Sequence, residues 1–170
     1  MIDQAKLKAI HDWISNETGL LFVWADQNAP RPNEAYITGR IQTIVRIGQD
    51  EVNAVNIEPA PAPADVETSI IGNRDITLRL EAFAEGDAMS YTVAFEALAA
   101  VQSSLHRPSV QDALRDAGLV YRNDFGIQNV SVDQGQSIEL RASLDVVLGS
   151  YAAIVEQVGA IESTAIDRTI

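Results

Sequence analysis

Trp24, Gln27, Asn28 and Arg31 stand together in the run FVWADQNAPRP, Phe22 to Pro32, and bring an indole, two amides and a guanidinium to one short stretch of chain. Such groups suit recognition better than bond making. Pro30 and Pro32 hold φ at about −65° and carry no N–H, and a residue that precedes a proline is pushed toward extended backbone. The run is therefore a stiff, non-helical corner between two strands. A corner of this kind at a sheet rim is where loops commonly carry binding. The plainer alternative is a rigid connection that only sets strand register.

Nothing else in the chain assembles into a catalytic set. There are two histidines, His11 and His106, far apart in sequence; one falls within an expected helix and the other just past a helix end, where a cation suits the terminal carbonyls. A base, nucleophile or metal ligand needs specific partners nearby, and neither histidine has them in the sequence. Asp112 and Asp116 lie one helical turn apart, a spacing that most simply marks a solvated helix face. Zero cysteines remove disulfides, thiolate metal sites and thiol nucleophiles. No glycine-rich phosphate loop, nucleophile elbow or paired-histidine metal spacing occurs. The expectation is a protein that is not an enzyme and has no cofactor and no metal.

Arginine usage points to surfaces instead. Of 12 basic residues only Lys6 and Lys8 are lysines, and Arg40, Arg46, Arg74, Arg79 and Arg141 fall on the polar side of expected strands. Arginine pairs bidentately with carboxylates and is favoured at interfaces. These side chains either pair across strands with Asp75, Glu81, Glu139 or Asp145 of the same chain, or meet acidic segments of neighbouring copies, for which the stretch containing Asp50 and Glu51 is the obvious donor.

The chain of 170 residues carries a formal charge of −12. An affinity for nucleic acid built on counterion release needs clustered cations, and there is no basic run. Asp3 and Gln4 occupy positions where a signal peptide would be basic and then apolar, so secretion by that route is not expected. The most apolar long stretch, Ala88 to Leu105, is interrupted by Ser90, Thr92, Glu96 and Gln102 and falls short of a membrane span.

The elements that must position the corner follow from periodicity. Leu7, Ile10 and Ile14, with Trp13 beside them, give a helical stripe over Asp3 to Glu17, with Asp3 as N-cap and Gly19 as stop. Leu20 to Ala25 reads as a short buried strand. From Tyr36 the period becomes two, with Ile37, Ile41, Val45 and Ile47 expected on the buried side. Residues 52–67 form an acidic, proline-rich loop centred on Pro59-Ala60-Pro61-Ala62-Pro63, whose alternation favours an extended polyproline path. Alternation resumes at Arg74, with Ile76, Leu78, Leu80 and Ala82 inward. A second helix carries Tyr91, Ala94, Leu98, Val101 and Leu105 on one face and only one charge, Glu96. A third opens at Pro108, with Ser109 and Asp112 as an expected capping pair, and ends at Gly118. Short strands at Leu119–Tyr121 and Ile127–Val132 precede a long one with Ile138, Leu140, Ala142, Leu144, Val146 and Leu148 on its inner face. Residues 151–170 fit no period cleanly.

The order predicts a single α+β domain over residues 1–170: a mainly antiparallel, twisted sheet with long strands and two to three helices packed on one face. Tyr36 to Asp50 alone would span about 50 Å as a strand, against a radius of gyration of about 15 Å for a compact domain of this length. The strand must bend, for which Gly39 and Gly48 are candidates, or reach a neighbouring copy.

The run FVWADQNAPRP with Tyr36-Ile37-Thr38, then Arg74, Leu78 and Ala82-Phe83, then Leu105, Pro108, Ser109-Val110, Leu114 and Gly118, resembles tailed-bacteriophage neck and tail-terminator proteins. Ile127-Gln128-Asn129-Val130, Arg141-Ala142-Ser143-Leu144-Asp145-Val146 and Ile161-Glu162 extend the likeness over most of the chain. Its specificity lies in the order of the motifs; Trp-Ala-Xaa-Gln-Asn followed by Pro-Arg-Pro is the one segment distinctive alone.

The resemblance implies a structural virion protein, present in the host cytoplasm during assembly, that forms a ring, typically hexameric, at the head-proximal end of the tail tube. It ends tube polymerisation there and joins tail to neck. The implied partners are other copies of itself, the tail tube protein, a neck or head-completion protein and a tail sheath where there is one. DNA would only pass through the channel, whose negative wall offers phosphates no counterion release, and no membrane is involved. Trp24, Gln27, Asn28, Arg31, Arg40, Arg46, Asp50, Glu51, Arg79 and Arg141 are the expected interface residues. The alternatives are another neck or head–tail joining protein, and a bacterial α+β ligand-binding domain with a pocket at Trp24, Gln27 and Arg31.

Overall fold

The computed structural model describes residues 2–25, 30–57, 66–84, 90–133 and 138–158. The first helix, α1 (Gln4–Thr18), starts where Asp3 accepts a hydrogen bond from the Lys6 N–H at 3.0 Å and stops at Gly19, whose φ of 65° lets its N–H reach the Ser15 carbonyl. The Lys6 ammonium, 2.6 Å from the second Asp3 oxygen, together with the backbone N–H, holds the Asp3 carboxyl below the usual aspartate value. Ile10, Trp13 and Ile14 are the buried stripe, as the spacing predicts.

The chain continues as β1 (Leu21–Trp24), β2 (Tyr36–Asn56), β3 (Val66–Ala84), α2 (Ser90–Ser104), α3 (Pro108–Asp116), β4 (Leu119–Asp124), β5 (Gln128–Asn129), β6 (Val132–Asp133) and β7 (Ile138–Val158). The sheet order is β1-β2-β3-β7-β4. β1 runs parallel to β2, with Leu21 opposite Tyr36 and Trp24 opposite Gly39. β4, β5 and β6 pair antiparallel with successive lengths of β7, at Leu119↔Ser150, Asn129↔Ala142 and Val132↔Glu139, and so form an interrupted edge strand. The fold is α+β, as predicted.

The residues group into two compact units, one of 1–45 with 74–150 and one of 46–73 with 151–170. In the first, α1 packs on α2, α3 and β1, and α3 on β4. One core joins Ile10, Trp13 and Ile14 to Ile37, to Ile76, Leu78 and Leu80, to Leu98, Val101 and Leu105, and to Leu144, Val146 and Leu148. The inward positions of β3 and, from Ala142 to Leu148, of β7 match the alternation in the sequence; at the start of β7 the pattern fails, since Glu139, expected on the polar face, is buried under the two arginines that pair with it, and Leu140, expected inward, is only half-buried. Trp13 sits deep in this core with its indole N–H satisfied by the Ser104 hydroxyl.

Three further expectations are corrected. Ile37 is buried and Ile41 partly so, but Val45 and Ile47 are exposed. The core reaches β2 at Ile37 and, in part, at Ile41, and the apolar stripe of the strand runs on past it. Ser109 and Asp112 do not cap α3: Arg107 is the N-cap, with no capping bond from its side chain, which pairs with Glu17 instead, and Pro108 takes the first helical position. The expected 52–67 loop is narrower, because β2 continues to Asn56 and β3 starts at Val66; residues 58–65, including the Pro-Ala alternation, lie outside the described ones, as does the C-terminal stretch after Val158.

The second unit consists, in its described part, of the lengths of β2, β3 and β7 over 46–56, 66–73 and 151–158. Among its described residues only Gly72 is buried, and Ile47, Val52, Val55, Ile71, Tyr151, Ile154 and Val155 are exposed apolar side chains. Gly48 adopts φ 73° within β2, a left-handed conformation that bends a strand without the steric penalty of a side chain.

Candidate interface at the Trp24 and Arg31 corner

The parallel pairing of β1 with β2 fixes where the corner lies. Phe22 and Trp24 meet edge to face at 5.1 Å between centroids, over the strand that carries Gly39. Gly39 is required there: a Cβ on it would come within 2.5 Å of the Phe22 ring. Pro30, Arg31 and Pro32 lie beside the opening of β2 and the end of β3.

Arg31 and Arg141 converge on Glu139, a carboxylate whose side chain is 5 % exposed. The Arg141 Nε–H donates to Glu139 Oε2 at 2.8 Å, and the terminal nitrogens of both arginines reach the same carboxylate. Below them Tyr36 and Phe83 stack with centroids 4.7 Å apart and planes within 5°. Arg31 lies over both rings, 5.9 and 5.7 Å from their centroids, and Arg141 lies 4.9 Å over Phe83. A guanidinium over an aromatic face is attracted by the ring quadrupole. The group lines a cleft of about 320 Å³ together with Trp24, Pro32 and Thr38. Two guanidiniums against one carboxylate leave the lining with one positive charge in excess.

Glu139 entered the sequence reading only as one of four possible arginine partners, and Tyr36 and Phe83 only within the segments that carry the resemblance; none of the three was an expected interface residue. Phe83 carried a readable signal, since a large aromatic falls on the outward register of β3 directly after inward Ala82. Glu139 carried a weaker one: it shares a strand face with Arg141, two residues on.

The other expected interface residues distribute as follows. Arg79 is bound within the chain, its Nε–H and terminal N–H donating to the two oxygens of Asp145, each at 2.7 Å. Hydrogen bonding to Asp145 makes the Arg79 guanidinium hold its proton more tightly still. Arg40 and Arg79 line a smaller cleft of about 110 Å³ with Thr38, Gln42 and Glu81. Arg46, Asp50 and Glu51 belong to the second unit, where Glu51 accepts from the Asn53 amide at 3.2 Å. Gln27 and Asn28 lie outside the described residues. His11 is exposed and faces Asp12 at 3.2 Å; His106 is exposed and meets Tyr121 edge-on at 5.6 Å.

The arrangement can hold an anionic or planar group, but it offers no nucleophile poised beside a base. Among the described residues no cluster of three or more metal-ligating side chains forms, and no helix is long and apolar enough to cross a membrane.

Residues 6–169 match the protein-family model described as phage neck terminator protein. The chain belongs to that family. None of the curated proteins matches it significantly. A neck terminator protein is a phage structural component that associates with other tail and neck proteins, and the family is not one known for catalysis.

Proposed function

We propose that this neck terminator protein assembles into a closed ring, of about six copies, at the head-proximal end of the tail tube, ends tube growth there and joins the tail to the neck. The observation that carries the proposal is the second unit: three lengths of strand in which, among the described residues, only Gly72 is fully buried and most of the apolar side chains are exposed. Ordering a residue costs about 1–2 kcal/mol of backbone entropy alone, and exposed Ile47, Val52, Val55, Tyr151, Ile154 and Val155 return little of it without cover. A sister copy or a tube subunit supplies that cover. Head-to-tail contacts that close make rings. One rim of the ring engages the last tube subunits, and the opposite rim does not repeat their contact surface, so no further subunit adds.

Electron microscopy of the purified protein at micromolar concentration, alone and with tube subunits, tests this. Rings, and tubes capped at one end and limited in length, are expected. A protein that stays monomeric and leaves tube length unchanged overturns it.

A further inference from the structure

We infer that the cleft formed by Trp24, Arg31, Tyr36, Phe83 and Arg141 receives the acidic proline-alanine segment Glu58–Asp65 of a neighbouring copy. The inference rests on the ring reading and names the contact that links one subunit to the next.

Charge is the first argument. The cleft holds one positive charge in excess in a chain whose formal charge is −12, and the segment brings Glu58 and Asp65, with no base between them. Both arginine side chains keep part of their surface in solvent, 51 % for Arg31 and 30 % for Arg141. A guanidinium carries five N–H donors in a fixed fork, more than one carboxylate takes up. Aromatic stacking beneath fixes both guanidiniums, so little rotamer entropy is lost on binding.

Shape is the second argument. Alternating Pro and Ala favours an extended path with no internal hydrogen bonds, and preformed segments of this kind dock in grooves edged by aromatic side chains. Trp24 supplies such an edge, half-buried against Phe22. A cleft of about 320 Å³ lies at the small end of ligand pockets, which suits short Pro and Ala side chains better than a bulky ligand. The sequence otherwise gives this segment no role, since it has no apolar residue large enough to build a core.

The contact is heterologous: each copy gives one segment and one cleft, the geometry a closing ring requires.

Two full-length variants test the inference. In one, Pro59, Pro61 and Pro63 are each replaced by Ser and Glu58 and Asp65 by Gln and Asn. In the other, Arg31→Gln removes one guanidinium while Arg141 still pairs with Glu139, which protects the fold. A synthetic peptide of residues 57–66 is titrated into the first variant, with indole fluorescence as the readout. Saturable binding is expected, weakened tenfold or more by adding Arg31→Gln and likewise by raising salt from 50 to about 500 mM. Neither variant alone should form rings, while an equimolar mixture should give a 1:1 dimer, since one copy keeps a working cleft and the other a working segment. Peptide that fails to bind, or binds equally well without Arg31, overturns the inference. Rings formed by both variants as readily as by the unaltered chain overturn it too, and leave the ring itself standing. An unaltered chain that never leaves the monomer refutes the ring reading, and the peptide titration still decides whether the cleft takes the segment.

Discussion

Trp13 and Ser104 lie 91 residues apart on two helices, yet the indole N–H donates to the buried Ser104 hydroxyl at 2.8 Å, and that hydroxyl donates in turn to the Val101 carbonyl at 2.7 Å. The serine satisfies a tryptophan that the core could not otherwise hold dry. Ser104→Ala leaves a buried N–H without an acceptor, at a cost of about 1–3 kcal/mol. Trp13→Phe in the Ser104→Ala background removes the orphaned donor and should add less than its effect in the unaltered chain. Urea denaturation of the four proteins checks this through non-additive midpoints.

Gly39→Ala should be among the more damaging single-methyl changes. The added Cβ meets Phe22 Cζ at 2.5 Å and Cε2 at 2.8 Å, and overpacking of this order costs about 1–3 kcal/mol. Phe22→Leu combined with it should recover part of the loss. Because Phe22 abuts Trp24, Gly39→Ala should also shift the indole emission, and a variant with unaltered stability and spectrum would contradict the register of β1 on β2.

Arg79 and Asp145 form a two-point pair across β3 and β7, but the arginine side chain is 40 % exposed. Solvent screening reduces its worth to about 1 kcal/mol or less. A double-mutant cycle with Arg79→Gln and Asp145→Asn should return a coupling of that size, falling further at high salt. A coupling several times larger would mean that this face is covered in solution.

Tyr121 should titrate late. Burial, with a hydrogen bond to Asp124, pushes its phenol from the ordinary 10.0 up to about 12. The fold favours the neutral phenol, so its contribution to stability is complete below pH 10 and is lost as the pH climbs through about 12. Absorbance titration of the phenolates should show one tyrosine ionising near 12, and Tyr121→Phe should remove that step.

Much of this fold was legible because single elements carried their own signals. Asp3 and Gly19 bounded α1, and the alternation in β3 and β7 assigned Leu78, Leu80, Leu144 and Val146 to the core. What could not be read was where cover ends. Val45 and Ile47 continue an apolar stripe that the sequence marks as buried, and only the packed core, which reaches no further along β2 than Ile41, shows that one copy leaves them exposed. That Pro30 and Pro32 keep the chain before β2 out of a helix was legible locally. The charge pattern of the corner was not, because Arg31 meets Glu139 and Arg141 through contacts more than 100 residues away that no local period encodes. Tyr151–Val158, ambiguous in the sequence, extends β7, as backbone pairing can carry a strand past the end of its hydrophobic pattern.

The most direct test is the mass of the assembled species in solution, by analytical ultracentrifugation or native mass spectrometry across the micromolar range. A closed oligomer of about six subunits that binds the end of preformed tail tubes, one ring per tube, is the predicted result. A single 18.4 kDa species at every concentration, with no affinity for tube ends, would contradict the account.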